Sequence, residues 1–217
     1  MRWRLLAGVP EEEIQHLLSV ARRRRFARNE VVFHRDDPGD SLHLIVKGRF
    51  AVRITTPLGD TVMTGLRGVG DHFGEMALVA EDRPRAATLV ALEDAETFAI
   101  RKPEFDRLRA QYPGVNDVLV RLLAGEVRQL DERLLEAMYV PAEKRLLRRL
   151  CELAEFYRRE AGAVDVPLTQ EQLAELAGTS RATVNRVLRD EENRGTIELG
   201  RGKTTVRDAQ ALAKRGR

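Results

Sequence analysis

The sequence predicts an α+β protein made of an N-terminal β jelly roll, one long helix and a C-terminal winged helix-turn-helix. Short β-branched and apolar runs alternate with turn residues from Glu30 to about Ile100, which is typical of a sandwich or barrel. Apolar residues then recur with a heptad spacing after Pro113. Two capped helical segments with a glycine between them follow near the C-terminus. We place the three parts at residues 1–112, 113–140 and 141–217.

Composition limits the class of protein. The chain has 217 residues, 43% of them hydrophobic, which suits one or two globular domains. No run approaches the roughly 18 apolar residues of a membrane span, and the N-terminus lacks the apolar segment of a signal peptide. We therefore expect a cytoplasmic protein without a membrane partner. The lone Cys151 excludes a multi-cysteine site, and we expect no metal site and a small buried thiol on a helix.

The charge is distributed unevenly. The net charge is +3, but residues 141–217 carry +4 and residues 1–140 carry −1. This excess favours a nucleic-acid partner for the C-terminal third. The block Arg22-Arg23-Arg24-Arg25 is predicted to be a solvated helix end, with a phosphate-binding patch as the alternative.

The N-terminal part begins with a predicted helix over Pro10–Ala21. Pro10 suits the first helical position, three glutamates follow it at the positive N-terminus, and Ile14, Leu17 and Leu18 form an apolar stripe. Strands are predicted at residues 31–33, 42–46, 50–54, 88–90 and 97–100. The turn signals between them are residues 36–40, 47–48 and 57–60 and the glycines at 65, 68 and 70. A jelly roll is one way to protect the edges of such strands.

A long helix should run from Pro113-Gly114 to about Val140, where Pro141 stops it and provides a hinge. Its heptad positions are Asn116, Val120, Leu123, Val127, Leu130, Leu134 and Ala137. This pattern favours a homodimer over packing of the whole stripe within one subunit. The neighbouring leucines, which are expected to pack on the barrel, are Leu119, Leu122 and Leu135.

The C-terminal part contains the pattern of a helix-turn-helix. A helix over residues 142–160 precedes it and turns its leucines inward. Thr169 is predicted to cap the next helix in a capping box with Gln172, and Gly178 to end it. Ser180 should cap the second helix, which buries Val184, Val187 and Leu188 and exposes Arg181, Ala182, Asn185 and Arg186.

Such a second helix is typical of a reader of the DNA major groove. Arginine matches the two acceptors of guanine, and asparagine favours adenine. Two short strands, residues 195–199 and 203–206, predict a β-hairpin wing in which Lys203 and Thr204 suit phosphate. Double-stranded DNA is the predicted partner.

A second motif spans Phe73–Leu78 and Arg83–Thr88. Its parts suit a cyclic ribose phosphate. Gly74 lets a turn present backbone N–H groups, Glu75 can accept a hydrogen bond from a ribose hydroxyl, and Arg85 can bind two phosphate oxygens. The alternative is that Arg85 only pairs with an acid such as Glu75 in an empty pocket.

With these motifs the chain resembles the cyclic-AMP receptor protein / fumarate–nitrate regulator (Crp/Fnr) family over residues 5 to 207. The resemblance implies cyclic AMP as the allosteric ligand, with no covalent cofactor. It also implies a homodimer, a pseudo-palindromic operator and RNA polymerase as a further partner. In kinase-type domains a small residue at the position of Ala86 goes with cyclic AMP rather than cyclic GMP.

The implied ligand-binding residues are Gly74, Glu75, Met76, Ala77, Arg85, Ala86 and Ala87, with Leu130 and Asp131 at the dimer-helix positions. The candidate DNA-binding residues are Thr169, Gln170, Ser180, Arg181, Ala182, Thr183, Asn185, Arg186, Lys203 and Thr204.

The chain departs from the family pattern at two places. Leu130 and Asp131 stand where cyclic-AMP sensors have adjacent Thr and Ser hydroxyls. Ala182 stands where the namesake has a Glu that accepts from cytosine, so a different base preference is expected there. The cysteine cluster of the oxygen-sensing branch is missing, and haem ligation by one of four histidines is a minor alternative.

The sequence contains no nucleophile–base constellation and no P-loop, so an enzyme is not expected. The prediction is a cyclic-AMP-gated, DNA-binding transcription regulator. A regulator of the same fold that is ligand-independent or senses another small molecule is the first alternative. A nucleotide-binding regulatory subunit of a partner enzyme is the second, and the helix-turn-helix argues against it.

Overall fold

The computed structural model describes residues 3–79, 84–158 and 160–217. Arg83 of the predicted phosphate motif lies outside these residues. The chain divides into two compact units. The N-terminal unit comprises residues 1–60 and 64–128, and the C-terminal unit comprises residues 61–63 and 129–217.

The N-terminal unit is a β jelly roll with helices before and after it. A 3-10 helix at Arg4–Leu6 comes first. The other elements are α1 (Glu11–Val20), β1 (Arg22–Phe26), β2 (Val31–Phe33), β3 (Ser41–Lys47), β4 (Phe50–Thr55), β5 (Thr61–Arg67, whose first three residues are grouped with the C-terminal unit), β6 (His72–Phe73), α2 (Met76–Val79), β7 (Thr88–Ala91), β8 (Ala95–Arg101) and α3 (Lys102–Gln111). The strands form two four-stranded sheets with the orders β1-β8-β3-β6 and β2-β7-β4-β5.

Two apolar clusters hold this unit together. The first joins the N-terminal helices to one sheet, and in it Leu5, Leu42 and Phe105 are completely buried. The indole of Trp3 donates a 3.0 Å hydrogen bond to the carbonyl of Ile45. The second cluster contains the aromatic rings between the sheets, including Phe50. The β-branched runs of the sequence thus form strands because their alternate residues face these clusters.

The arginine block forms strand β1, so its prediction as a helix end is wrong. Arg22 pairs with Ala99 and Phe26 with Ala95 in an antiparallel register with β8. Arg23 and Arg25 both form ion pairs with Glu96. The cross-strand acid and the buried ring of Phe26 therefore favour a strand, and neither is visible from the local charge run.

The predicted strands all occur, but others were missed. Gly65 lies inside β5 and not in the turn that its glycine predicts. A Cβ there would lie 3.0 Å from the guanidinium of Arg67, so the missing side chain makes room for that arginine. The short strand β6 is also missing from the prediction, because two residues are too few to show an alternating apolar pattern.

The long helix α4 spans Gly114–Tyr139, close to its predicted range. Val115 and Leu119 are buried in the first apolar cluster, and Leu122 and Leu123 pack partly against it. Leu135 is exposed, which contradicts its predicted packing on the barrel. The other large exposed side chains of α4 are Val120, Val127, Leu130, Leu134, Met138 and Tyr139.

The C-terminal unit is a winged helix-turn-helix. Its elements are α5 (Ala142–Tyr157), β9 (Val164–Val166), α6 (Gln170–Ala177), α7 (Arg181–Asn193), β10 (Ile197–Gly200), β11 (Lys203–Val206) and α8 (Ala209–Arg215). The strands form an antiparallel sheet of order β10-β11-β9. Strand β9 and helix α8 were not predicted. The inward leucines of α5 are buried as expected.

The predicted caps position the two central helices. Thr169 and Gln172 form the full capping box of α6. Gly178 ends that helix in the left-handed conformation, with φ of 60°, and the Ser180 side chain accepts from the N–H of Thr183 at the start of α7. These caps fix the turn and hence the direction of α7.

Arg145 connects three carbonyls around this turn. Its guanidinium donates to the carbonyl of Val140 at 2.8 Å, of Ala177 at 3.0 Å and of Gly178 at 2.7 Å. These carbonyls lie at or just beyond the C-terminal ends of α4 and α6, where a cation is favoured. Arg145 thereby links the chain before Pro141 to the helix-turn-helix.

Candidate ligand pocket and nucleic-acid interface

The phosphate motif is built around a glycine turn. Strand β6 ends at Phe73, and Gly74 has φ of +90° before α2 begins. A Cβ at Gly74 would lie 2.6 Å from Nη1 of Arg85 and 2.8 Å from the carbonyl oxygen of Ser41. Both the backbone angle and the close approach require glycine here.

Arg85 is the centre of this site. Its side chain is almost completely buried, with the residue 3% exposed. Nη1 donates to the carbonyls of Ser41 at 2.8 Å and Gly74 at 3.0 Å, and Nη2 donates to the Ser41 hydroxyl at 3.2 Å. The guanidinium lies 4.2 Å from the ring centre of Phe33. Its Nε is buried and has no hydrogen-bond partner in the described part of the chain.

The charge of Arg85 is poorly compensated. Burial lowers the pKa of its guanidinium, and the carboxylates of Asp40 and Glu75 oppose this effect. Asp40 lies 3.7 Å away and is mostly exposed. A buried cation with an unused N–H is suited to an incoming anion. The alternative, in which Arg85 only pairs with an acid, stays open: its ion-pair partner among the described residues is Asp40 rather than Glu75.

Glu75 is buried beside His72. The residue is 6% exposed, and its carboxylate lies 3.9 Å from the ring Nε2 of His72. Burial raises the pKa of Glu75, although a backbone hydrogen bond and the charges of Arg67 and Arg85 oppose it. Burial, followed by the charge of Arg67, lowers the pKa of His72 to about 4, so this imidazole is neutral at pH 7.

The structure brings some of the predicted ligand residues together. Gly74 touches Arg85, and Glu75 and Ala77 are buried next to Gly74 in the chain. Met76 is exposed, Ala86 is exposed and Ala87 is half-buried. Leu130 and Asp131 are both exposed residues of the C-terminal unit.

Sequence reasoning missed a polar pair near the pocket. Arg67 of β5 donates a 2.5 Å hydrogen bond to Glu126 of α4. The charges of these two residues act on His72, and that of Arg67 acts on Glu75. No local signal identifies the pair, because the glycines around Arg67 predict turns and not the strand that carries it.

His43 is a core residue. It is buried, stacks on Phe73 at 4.8 Å, and has a ring nitrogen 3.0 Å from the hydroxyl of Thr97. Burial, and then the charge of Arg85, lowers its pKa to about 3. Across residues 3–79, 84–158 and 160–217, no group of three His, Cys, Asp or Glu side chains is arranged to hold a metal ion.

The helix-turn-helix presents the predicted reading face. Arg181 and Ala182 are exposed, and Val184, Val187 and Leu188 are buried. The Arg186 guanidinium forms an ion pair with Glu143 at the start of α5. The Asn185 amide is half-buried and donates to the side chain of Gln170 at 3.2 Å.

The wing lies beside this face. Lys203 bonds Asp165 of β9 at 2.6 Å, and hydrogen bonds from Lys203 and Thr205 lower the pKa of that carboxyl group. Thr204 is 2% exposed, so its hydroxyl is not available to a phosphate at the surface and its prediction as a DNA contact is corrected. In β11 the next residue, Thr205, has its side chain on the opposite, outer face of the strand. A groove of about 490 Å³ separates the wing from α6 and α7.

In the described ranges, no helix combines the length and apolarity needed to span a membrane. Cys151 is half-buried rather than fully buried, and its thiol lies 3.6 Å from the carbonyl of Ala209.

Two family models match the chain in the order of its units. A cyclic nucleotide-binding domain matches residues 23–112, and a Crp-like helix-turn-helix domain matches residues 144–215. They correspond to the jelly roll with its arginine pocket and to the winged helix-turn-helix.

Relatives match over nearly their full length. The chain is 34% identical over 208 residues to the cyclic AMP receptor protein of Thermus thermophilus, covering 96% of this chain and 94% of that one. It is 29% identical over 216 residues to a CRP-like cAMP-activated global transcriptional regulator of Mycobacterium tuberculosis, covering 98% and 96%.

Solved structures show the same fold. The catabolite activator protein of Thermus thermophilus is 31% identical with a TM-score of 0.56, and 98% of each chain is covered. The CLP protein of Xanthomonas campestris, described as a c-di-GMP responsive global regulator, has a TM-score of 0.79 at 20% identity, covering 91% of this chain and 99% of that one. With both domains matched and a relative above 30% identity along its length, the chain belongs to the Crp/Fnr family of DNA-binding transcription regulators.

Proposed function

We propose that this regulator binds cyclic AMP in its N-terminal unit, acts as a homodimer and then binds a pseudo-palindromic operator more tightly. The observation that carries the proposal is Arg85, a buried guanidinium with an unused N–H beside a glycine turn. The proposal assigns the chain no catalytic activity and includes RNA polymerase as a further partner.

The residues around Arg85 suit a cyclic nucleotide by their charge and hydrogen-bonding groups. The phosphate carries a negative charge, for which the buried Nε of Arg85 is an unused donor. Gly74 leaves room for a backbone approach, and Glu75 can accept from the ribose. Cyclic AMP is favoured because relatives in Mycobacterium tuberculosis and Thermus thermophilus carry cyclic AMP in their names.

The exposed apolar face of α4 supports the homodimer. Val127, Leu130 and Leu134 follow a spacing of three and four residues and are all more than half exposed. Such a seam is stable in water when a second helix covers it. Two chains joined this way present two copies of α7, as a pseudo-palindromic site with half-sites about 34 Å apart requires.

The DNA contacts are assigned to the exposed and half-exposed positions of the C-terminal unit. Arg181 and Arg186 suit guanine, and Asn185 suits adenine. Phosphate contacts are assigned to Thr169, Gln170, Ser180, Thr183 and Lys203, which lie around the groove or at the caps. Arg186 and Lys203 must exchange their carboxylate partners for DNA, Glu143 and Asp165 respectively.

A regulator of the same fold with another ligand, or none, is the second candidate. Ser41 and Gly74 already occupy the terminal nitrogens of Arg85. In addition, Leu130 and Asp131 offer no hydroxyl for a purine. The similar structure from Xanthomonas campestris is described as responsive to c-di-GMP.

Calorimetric titration of the nucleotide-free protein with cyclic AMP, cyclic GMP and c-di-GMP tests the proposal. We expect cyclic AMP to bind at one site per subunit and Arg85→Ala to weaken it by about 1.5–3 kcal/mol, the range for a hydrogen bond to a charged group. Arg22→Ala removes the same charge from the exposed strand β1 and should leave the affinity unchanged. Binding of c-di-GMP alone, or of none of the three at two temperatures, would reject cyclic AMP as the ligand.

A further inference from the structure

One contact on the DNA face joins the two helices of the helix-turn-helix through their side chains. Nδ2 of Asn185 in α7 donates to Oε1 of Gln170, the first residue of α6, at 3.2 Å. Both residues are half-buried, and both line the groove between the helices and the wing. The amide of Asn185 is therefore held before any DNA arrives.

The position of Asn185 on α7 makes this contact relevant to base recognition. Residues four apart lie on one face of a helix, so Asn185 stands directly after Arg181 on the reading face. The neighbouring row contains Ala182, which has no hydrogen-bonding group, and Arg186, which is paired with Glu143. On this face of α7, Asn185 thus supplies a planar group with both a donor and an acceptor.

The contact holds the amide of Asn185 in place on the reading face. The terminal torsion of an asparagine side chain has two nearly equivalent settings that exchange its oxygen and nitrogen. The amide of Gln170 has the same two settings, and in the structure the pair adopts the joint arrangement in which Nδ2 of Asn185 faces Oε1 of Gln170. The second N–H of Asn185 and its carbonyl oxygen stay unused, and this donor–acceptor pair matches N7 and the N6 amino group of adenine in the major groove.

We propose that Gln170 and Asn185 together specify an A·T base pair in each half-site, next to the base pair that Arg181 contacts. Asn185 contacts the adenine, and Gln170 is a positioning residue that fixes the amide. This inference rests on the DNA interface of the proposed function and names the base that this part of it recognises.

Operators selected from a random DNA pool by the wild-type protein provide the test, with cyclic AMP present and absent. Affinities are then measured for all single-base substitutions of one half-site. We expect replacement of one A·T pair to weaken wild-type binding by roughly 5- to 150-fold, the range for a bidentate contact. Asn185→Ala should remove that preference and keep the preference at the Arg181 position.

Two substitutions at Gln170 separate positioning from phosphate contact. Gln170→Leu has a similar volume but no acceptor, and should reduce the preference at the A·T position as Asn185→Ala does. Gln170→Glu keeps an acceptor for Asn185 and adds a negative charge near the phosphates. It should retain the base preference while weakening binding to all sequences. Thermal unfolding followed by circular dichroism confirms that each variant is folded.

Three results would overturn parts of this assignment, and they differ from one another. A base preference unchanged in Gln170→Leu rejects the positioning role. A loss of affinity in Asn185→Ala that is equal for all four bases rejects the adenine contact. Failure of the wild-type protein to enrich any sequence, with or without cyclic AMP, rejects the proposed DNA interface itself at the selection step.

Discussion

At the scale of single residues, Glu191 shows how this fold keeps a buried charge. It lies in the last turns of α7 with 1% exposure. Arg215, Arg194 and the hydroxyl of Thr196 all donate to its carboxylate. Burial is the largest single influence and raises the pKa, but the hydrogen bonds from Arg215 and Thr196 and the two positive charges together lower it. The ionised form is thus favoured in the folded state.

This residue gives a prediction for stability. Glu191→Gln should lower the free energy of unfolding of the C-terminal unit by about 1.5–3 kcal/mol at pH 7, because it loses hydrogen bonds to charged groups. The pKa of the Glu191 carboxyl is lower in the folded than in the unfolded state. Its contribution to the free energy of unfolding is therefore fully present above the unfolded pKa of about 4.3, and it is lost as the pH falls through the folded pKa. As the pH falls below 4.5, the free energy of unfolding should therefore decrease less in the variant than in the wild type.

Denaturant unfolding followed by two probes measures this effect. Trp3 is the only tryptophan and lies buried in the N-terminal unit, so its fluorescence reports that unit. Far-ultraviolet circular dichroism also reports the helices of the C-terminal unit. In Glu191→Gln only the midpoint followed by circular dichroism should shift. In the matched exposed variant Asp190→Asn neither midpoint should shift. An unshifted dichroism midpoint contradicts the assignment.

Residue positions with a local chemical requirement were predictable. The capping box at Thr169, the left-handed Gly178 and the glycine of the phosphate motif each follow from neighbours in the sequence. Thr204 was mispredicted because its direction depends on the register with β9, which the sequence did not reveal. The partners of Arg85 were equally hidden, since Ser41 lies 44 residues away.

At the scale of elements, α4 combines two packing surfaces on one helix. Its beginning is buried through Val115 and Leu119, whereas its later turns expose Leu134 at 60% and Met138 at 63%. The heptad pattern predicts the helix well, because periodicity is a property of the element itself. It did not separate the two surfaces, so Leu123 was assigned to the seam although it packs partly on the core.

Leu134→Lys tests the role of the exposed seam. A charge at the centre of an apolar interface is costly, so this variant should be monomeric at micromolar concentrations where the wild type is dimeric. Gln129→Lys adds the same charge on a different face of α4 and should leave the dimer intact. Sedimentation equilibrium gives both masses. A dimeric Leu134→Lys protein would show that this stripe is not the interface.

The strands show where element prediction fails. Five β-branched runs were recognised, but β1 was hidden by four successive arginines and β5 by its glycine. Strand β1 pairs with β8, far along the chain, and β5 pairs with β4, the strand before it. Cross-strand pairing therefore decided these elements, and local propensity did not.

At the scale of the whole molecule, the proposed function requires the nucleotide and the operator to influence each other. We expect saturating cyclic AMP to raise operator affinity by about 5- to 150-fold, a coupling free energy of about 1–3 kcal/mol. By linkage, the operator must raise the affinity for cyclic AMP by the same factor. Fluorescence anisotropy with labelled DNA and calorimetry of the protein–DNA complex measure the two factors, and unequal values would contradict a linked equilibrium.

The arginine strand has a consequence for synthesis of the chain on the ribosome. Arg22 of β1 pairs with Ala99 of β8, so β1 cannot pair until β8 has been synthesised. At about 5–20 residues per second this delay lasts roughly 4–15 s. An exposed strand edge can recruit other nascent chains, and a row of charged side chains opposes such pairing. Lysine should thus be tolerated at positions 22 to 25, whereas valine there would favour aggregation before the sheet closes.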